Sequence, residues 1–362
     1  MKILILGNYD MGLYKFRKEL LEELIKRGHT VYVSIPNGEY ISKIKELGCK
    51  VIFTDIDRRG MNPLAEQKLY KTYCKIIKEV KPDKILTYTI KPNIYGGIAA
   101  KKFGIPQIAN ITGLGTALEN PGRKQLFLIW LYRRAFNDSQ IVFFQNRENQ
   151  EFFIRHNISL NRCEILPGSG VNINQFAVTE YPSDDTVRFL FISRIMKEKG
   201  IDYFLECAET IKKKYPNTEF HICGYCENEY EGKLDAFVQK GLVKYHGSID
   251  NVCGFLSSIH CVVHPTYYPE GMSNVLLESC ACGRPIITTD RSGCREVVED
   301  GVNGYMVRCQ NQEDLNEAIE KFLQLSYEQK KTMGLKARAK VEKEFDRQIV
   351  VDKYMEEIEK EV

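Results

Sequence analysis

Residues Pro167–Ser193 read PGSGVNINQFAVTEYPSDDTVRFLFIS. As far as Asp185 the stretch is rich in Gly, Pro, Ser and Asp, the composition of a linker. From Thr186 it becomes an apolar run, TVRFLFIS, which reads as a buried strand. What lies on either side decides the fold. Upstream, KILIL opens as a strand, and Phe16, Leu20, Leu21, Leu24 and Ile25 then recur at helical spacing until Gly28. TVYVSI, CKVIFT, DKILTY, PQIAN and QIVFF follow, with helical stretches between them. Downstream the alternation restarts with TEFHICG, LVKYHG, HCVVHP and RPIITT. Strand–helix alternation implies parallel sheets covered on both faces, joined by right-handed crossovers.

The expected organisation is therefore α/β: a Rossmann-like domain over residues 1–168, a linker over 169–185 and a second Rossmann-like domain over 186–345. A closing helix over 346–362 is expected to return to the first domain. In such sheets ligands bind beyond the carboxyl ends of the strands. Two sheets facing each other would place an interdomain cleft there.

Composition sets outer bounds. A chain of 362 residues is too long for one ordinary core. With 43% hydrophobic and 27% charged residues it is an ordinary folded protein. A net charge of +3 gives no argument for nucleic acid as a partner. No run of about 18 apolar residues is present to span a membrane. MKILILGNYDMG starts directly as a strand and does not read as a signal peptide. The 12 cysteines are scattered, mostly through apolar segments, which points to a reducing, cytoplasmic setting. Cys223-Gly-Tyr-Cys226 has redox or zinc spacing. It lacks a second ligand pair, so a strand end followed by a turn is the better reading.

Three strand-end loops carry the chemistry. GNYDMGLYKF follows the first strand without a Gly-x-Gly-x-x-Gly pattern, so nothing supports a nicotinamide cofactor. Gly12 there would let the backbone approach a ligand closely. In ISRIMKEKG, Arg194 ends a strand and Lys199 precedes Gly200 and a helix. Two cations facing a helix N-terminus suit a diphosphate, while the bland alternative is a solvated basic turn. In HPTYYPEGMSNVLLESCA, Ser273 or Asn274 is the expected N-cap of a helix. Glu270, Gly271, Met272 and Ser273 would present backbone at its mouth. Glu270 is placed to accept from sugar hydroxyls and Glu278, further along, from a group such as a ribose; one carboxylate can receive both hydroxyls of a diol. Glu278 lies among Val275, Leu276, Leu277 and Ala281, where a carboxylate needs a partner.

The order SRIMKEKG, PEGMSNVLLE, TTDRSGCREVVEDGVNG resembles that of the retaining glycosyltransferases of family four, over almost the whole chain. The resemblance implies the GT-B fold. It also implies a donor site in which Arg194 and Lys199 neutralise the diphosphate. Glu270 with the backbone of Gly271, Met272, Ser273 and Asn274 would hold the sugar, and Glu278 the ribose. On this reading Arg194, Lys199 and Glu270 are the catalytic set. TYTIKPNIYGGIAAKKFGIPQIANITGLG is similar to the bacterial branch that builds lipid-linked surface oligosaccharides and capsules. Acceptor contacts are accordingly expected from Lys91, Asn93, Thr112 and Gly113.

The implied reaction is transfer of a hexose or N-acetylhexosamine, with retention, from a nucleoside diphosphate sugar to a glycan acceptor on a lipid. Uracil is the expected base on resemblance. One departure stands out: many relatives carry a histidine in the loop that here reads Asn110-Ile111-Thr112-Gly113-Leu114-Gly115. No catalytic histidine is therefore assigned, and His29 reads as structural.

Asp55-Ile56-Asp57 has the spacing of a metal-binding pair. It is far in sequence from the donor motif, and two cations already serve the diphosphate. No metal and no other cofactor are expected, although Arg58 or Arg59 beside it would suit an anionic acceptor. In LENPGRKQLFLIWLYRRAF, Arg123, Lys124, Arg133 and Arg134 bracket Leu126, Phe127, Leu128, Trp130 and Leu131. That pattern fits either a core helix with charged ends or peripheral contact with an anionic membrane, on the inner face of the cell membrane. Two rival functions remain open: a non-catalytic subunit that binds nucleotide or glycan, and a sugar-nucleotide epimerase of the same architecture. The epimerase would need cleft acids and bases that the sequence does not offer.

Overall fold

A computed structural model describes residues 1–58, 60, 62–158, 162–183 and 185–360. The chain divides into two compact units. One comprises Met1–Gly170, Glu270–Met272 and Arg347–Val362; the other comprises Val171–Pro269 and Ser273–Asp346. Both are α/β with parallel sheets, the class that the alternation predicts.

The first unit is built on seven strands: β1 (Lys2–Leu6), β2 (Thr30–Ile35), β3 (Lys50–Phe53), β4 (Lys84–Tyr88), β5 (Gln107–Ile111), β6 (Ile141–Phe144) and β7 (Cys163–Ile165). Their order is β3-β2-β1-β4-β5-β6-β7, and all pairs are parallel. The order reverses between β1 and β4, which makes that crevice the switch point of the sheet.

Alternation along the strands assigns the core. Ile3, Ile5, Val31, Val33 and Ile35 pack with Leu13, Leu20, Leu21 and Leu24 of the helix Asp10–Lys26. Leu4, Leu6 and Ile85 join Leu69, Tyr73, Ile76 and Ile77 of the helix Pro63–Val80 in a separate cluster. Period two puts neighbouring residues on opposite faces, and each fully buried Leu or Ile contributes roughly 1.5–3 kcal/mol. The helix Arg347–Glu359 belongs to this unit. Its Val350, Val351, Tyr354, Met355 and Ile358 complete the first cluster. Tyr354 accepts from Asn110 Nδ2 at 2.9 Å, and Arg347 pairs with the Glu19 carboxylate at 2.9 Å.

The second unit has six parallel strands: β8 (Val187–Ile192), β9 (Thr218–Cys223), β10 (Lys244–Tyr245), β11 (Cys261–His264), β12 (Ile286–Thr289) and β13 (Gly304–Val307). Their order is β10-β9-β8-β11-β12-β13. The strand pattern alone misses β7 and β13. The first is three residues with a glutamate in the middle, and the second opens on a glycine just after a turn. Cys223 and Cys226 are both free thiols. Burial pushes the Cys223 thiol up to about 12 and raises Cys226 too, the opposite of a reactive pair.

One edge of this sheet carries a titratable cluster. His221 Nδ1 lies 2.9 Å from His246 Nε2, and its Nε2 lies 3.1 Å from Glu219 Oε2. Lys244 and Arg188 pair with the same Glu219. Burial holds both imidazoles below their ordinary value. A lowered folded-state pKa means that the unfolded chain takes up protons first, so this contribution to stability is present above about pH 6.5 and is lost as the pH falls. Glu219, held down to about 2, stays ionised throughout that window. The melting temperature should therefore fall between pH 7.5 and 5.5. A His221→Gln, His246→Gln double variant should show a flatter profile over the same interval. An unchanged slope would remove the pair from the account.

Candidate functional site

The second unit brings the two predicted cations together. β8 ends at Ile192, and Arg194 follows in the loop with its side chain 43% exposed. Lys199 closes a 3-10 turn, Lys197–Lys199, and is only 9% exposed. Both face one ring: Lys199 Nζ is 4.9 Å from the centroid of Tyr268 and Arg194 Cζ is 5.9 Å from it. Glu227 also pairs with Arg194, at 3.8 Å. Cation–π attraction gathers two like charges that would otherwise repel. Gly200 makes this approach possible. It has φ +79, and a Cβ there would fall 2.1 Å from the Pro265 carbonyl oxygen. The loop is further fixed by Tyr267 N–H and Thr266 Oγ1, which both donate to the Glu198 carbonyl.

The helix expected after the third loop runs Asn274–Ala281 with Ser273 at its N-cap. Leu276, Leu277, Cys280 and Ala281 are buried, while Asn274 and Glu278, four positions apart, share the less buried face. Asn274 Oδ1 is shielded from solvent and has no hydrogen-bond partner among the described residues. Two details differ from expectation. The Ser273 side chain makes no capping bond, and its N–H donates to the Gly293 carbonyl at 2.8 Å, so it is unavailable to a ligand. The outward N–H groups are those of the first turn, from Asn274 onward. Gly293 is itself held by Glu296, whose Oε2 accepts its N–H at 2.7 Å.

Glu270, Gly271 and Met272 group with the first unit. Asn146 Nδ2 donates to the Gly271 carbonyl at 2.6 Å and to that of Glu270 at 3.2 Å. The same Asn146 caps the helix Arg147–Arg155 by accepting from Asn149 N–H. A Cβ on Gly271 would lie 2.4 Å from the Thr112 carbonyl oxygen and 2.4 Å from Gln145 Oε1. Met272 is buried against Gly168. Both Glu270 and Glu278 are half-buried.

The expected acceptor residues separate into two kinds. Asn93 is 1% exposed, and its amide is spent inside the fold: Oδ1 accepts from Thr87 at 2.7 Å and Nδ2 donates to the Asn110 carbonyl at 2.8 Å. This corrects its assignment, since a ligand contact would cost a buried hydrogen bond. Lys91 donates to Glu66 at 2.5 Å and to the Gly60 carbonyl at 2.8 Å, which makes it a strap for the loop after β3. Thr112 and Gly113 lie in the loop after β5, half-buried. Gly12 sits in the first turn of the helix Asp10–Lys26, where a Cβ would lie 3.3 Å from the Tyr9 ring. Asp57 accepts from Gly60 N–H at 2.8 Å, a turn contact, and Arg58 lies 4.2 Å over the ring of Tyr9. Arg59 lies outside the described residues.

Sequence reasoning missed Tyr268, Asn146 and Glu296. Tyr268 stood in the quoted motif, but nothing in one-dimensional spacing shows two cations meeting its ring. Asn146 and Glu296 act through contacts distant in sequence or confined to a loop, which no periodicity reveals.

Comparison with known proteins agrees with this layout. The family model described as Glycosyl transferases group 1 matches residues 175–340, and the one described as Glycosyl transferase 4-like matches residues 2–146. The chain is 27% identical over 373 residues to the Campylobacter jejuni N,N'-diacetylbacillosaminyl-diphospho-undecaprenol alpha-1,3-N-acetylgalactosaminyltransferase, covering 98% of this chain and 97% of the relative. It is 25% identical over 268 residues to the Escherichia coli UDP-Gal:alpha-D-GlcNAc-diphosphoundecaprenol alpha-1,3-galactosyltransferase, covering 69% and 68%. Among solved structures, Anabaena HepE in complex with UDP and glucose superposes with a TM-score of 0.81 at 18% identity, over 99% of both chains.

Proposed function

We propose that this chain, which has the GT-B fold and matches two glycosyltransferase family models, transfers a hexose or N-acetylhexosamine from a UDP-sugar to a lipid-linked glycan acceptor, with retention. The observation that carries this reading is the convergence of Arg194 and Lys199 on Tyr268. Such a pair, with the first-turn amides of the helix Asn274–Ala281, suits the two charges of a diphosphate. Glu278 is assigned to the ribose diol and Glu270 to the sugar hydroxyls. The orphaned Asn274 Oδ1 is a further acceptor for a ligand hydroxyl. The names of the relatives support the rest: two act on diphospho-undecaprenol acceptors, and HepE has been seen with UDP.

The chemistry assigned to these residues is electrostatic. As the bond between the anomeric carbon and the leaving oxygen lengthens, negative charge grows on the diphosphate, where fixed cations stabilise it. The acceptor oxygen attacks from the same face. Its proton passes to the departing phosphate oxygen, so the products are the glycoside and UDP, and no protein nucleophile or base is used. This is consistent with the absence of a histidine from the Asn110–Gly115 loop. No metal is assigned a part.

A thermal-shift panel of UDP-, GDP- and ADP-sugars, followed by mass spectrometry with lipid-diphosphate acceptors, tests this reading. A shift by UDP-sugars and a product one sugar heavier are expected. Nucleotide binding without transfer on any acceptor would point to the non-catalytic subunit instead. A β-linked product from an α-linked donor would refute retention.

A further inference from the structure

We propose that the outward face of the helix Arg123–Phe136 is a docking surface for anionic phospholipid membranes. The inward face of this helix is already satisfied: Leu128, Ile129, Tyr132, Ala135 and Phe136 are buried in the first unit, beside Phe144 and Phe153. Its outward face would ordinarily be polar throughout, and here it is apolar in part. Leu126 is 64% exposed, Phe127 49% and Trp130 47%. At about 100° per residue these three side chains fall within one arc, opposite the buried stripe. The rings of Phe127 and Trp130 stack at 6.0 Å, which joins them into one apolar plate.

Charge selects the occupant. Arg123 and Arg134 project within the same arc, while Lys124, about 60° outside it, is exposed in the first turn of the helix. Arg134 Cζ sits 4.8 Å over the Trp130 ring, so its charge travels with the plate. The helix sequence RKQLFLIWLYRRAF contains no carboxylate. Arg133 is a different case, since it donates to the His156 carbonyl at 2.6 Å. Aromatic and aliphatic side chains interleaved with cations match a surface that is anionic outside and apolar beneath, which is a phospholipid headgroup layer. Among the described residues no helix is long and apolar enough to cross a membrane, so the contact lies in the plane of the interface. The inference is independent of the proposed transfer reaction, because its readout is binding alone.

The test is direct because Trp130 is the single tryptophan of the chain. The full-length protein is titrated with vesicles of phosphatidylcholine alone, and of phosphatidylcholine mixed with phosphatidylglycerol, while its fluorescence is followed. A blue shift with the anionic vesicles, and co-flotation that weakens at high salt, are expected. A Leu126→Ser, Phe127→Ser variant should lower the partition coefficient on the order of tenfold. Arg123→Glu, Lys124→Glu should abolish the preference for anionic lipid, with each neutralised cation alone costing roughly fivefold. These positions are exposed, so unchanged circular dichroism is required of each variant. An unmoved Trp130 spectrum, or equal binding to both vesicle types, overturns the proposal. So does a dimer in sedimentation velocity that the Leu126→Ser, Phe127→Ser variant dissolves, because the plate would then be a contact between copies of this chain.

Discussion

Lys199→Ala lowers kcat/KM by roughly 10²–10³-fold, the loss typical of removing one preorganised group that faces developing charge. Most of the fall is expected in kcat. The charge on the leaving diphosphate is larger in the transition state than in the bound donor, so KM should move less. The position of Lys199 explains the size of the effect. It is 9% exposed and turned toward the Tyr268 ring, where water screens it poorly. Arg194, with its side chain 43% exposed and shared with Glu227, should cost less when removed. Lys199→Arg keeps the charge but changes its shape and reach, and should recover only part of the rate. Circular dichroism and melting temperature separate this from unfolding. Wild-type turnover in a folded Lys199→Ala protein would remove the lysine from the mechanism.

The second large effect is expected from Gly271→Ala, about a hundredfold loss in kcat/KM. The substitution adds one methyl group, but that group would stand 2.4 Å from the Thr112 carbonyl oxygen. A main-chain oxygen cannot rotate aside, so the segment carrying Glu270 must move. Asn146, whose amide holds the carbonyls of Glu270 and Gly271, would lose at least part of that grip. Displacing a contact residue by about 1 Å is enough for a loss of this order. Asn146→Ala should act in the same direction through the other half of the clamp. Full activity in Gly271→Ala would show that the placement of Glu270 is not used in catalysis.

The fold was legible because burial leaves a strong signature. KILIL and TVRFLFIS are strands whose interior residues are screened on both sides, so they read as unbroken apolar runs. Gly28 and the Pro167–Asp185 segment punctuate the chain as backbone chemistry requires. β13 escaped because a short strand beginning at Gly304 carries too little apolar signal to count. At the candidate site residue types and their order were legible, but the contacts were not. Asn93 and Lys91 looked alike as polar residues in a strand-end loop, yet both turn back into hydrogen bonds of the fold. Ser273 was rightly placed at the helix start, but its N–H is committed to Gly293. Such commitments depend on which distant carbonyl lies within reach, and pattern along one strand or helix does not encode that.

The return of Arg347–Glu359 to the first unit bears on how the protein is made. Ile3, Val31 and Phe143 share a cluster with Val350, Tyr354 and Ile358, more than two hundred residues later. During translation the strands of the first unit therefore emerge with one flank uncovered, and they stay so until the ribosome has passed the second unit. Nascent chains spend that interval with apolar surface showing, an opening for chaperone contact before the helix Arg347–Glu359 is made.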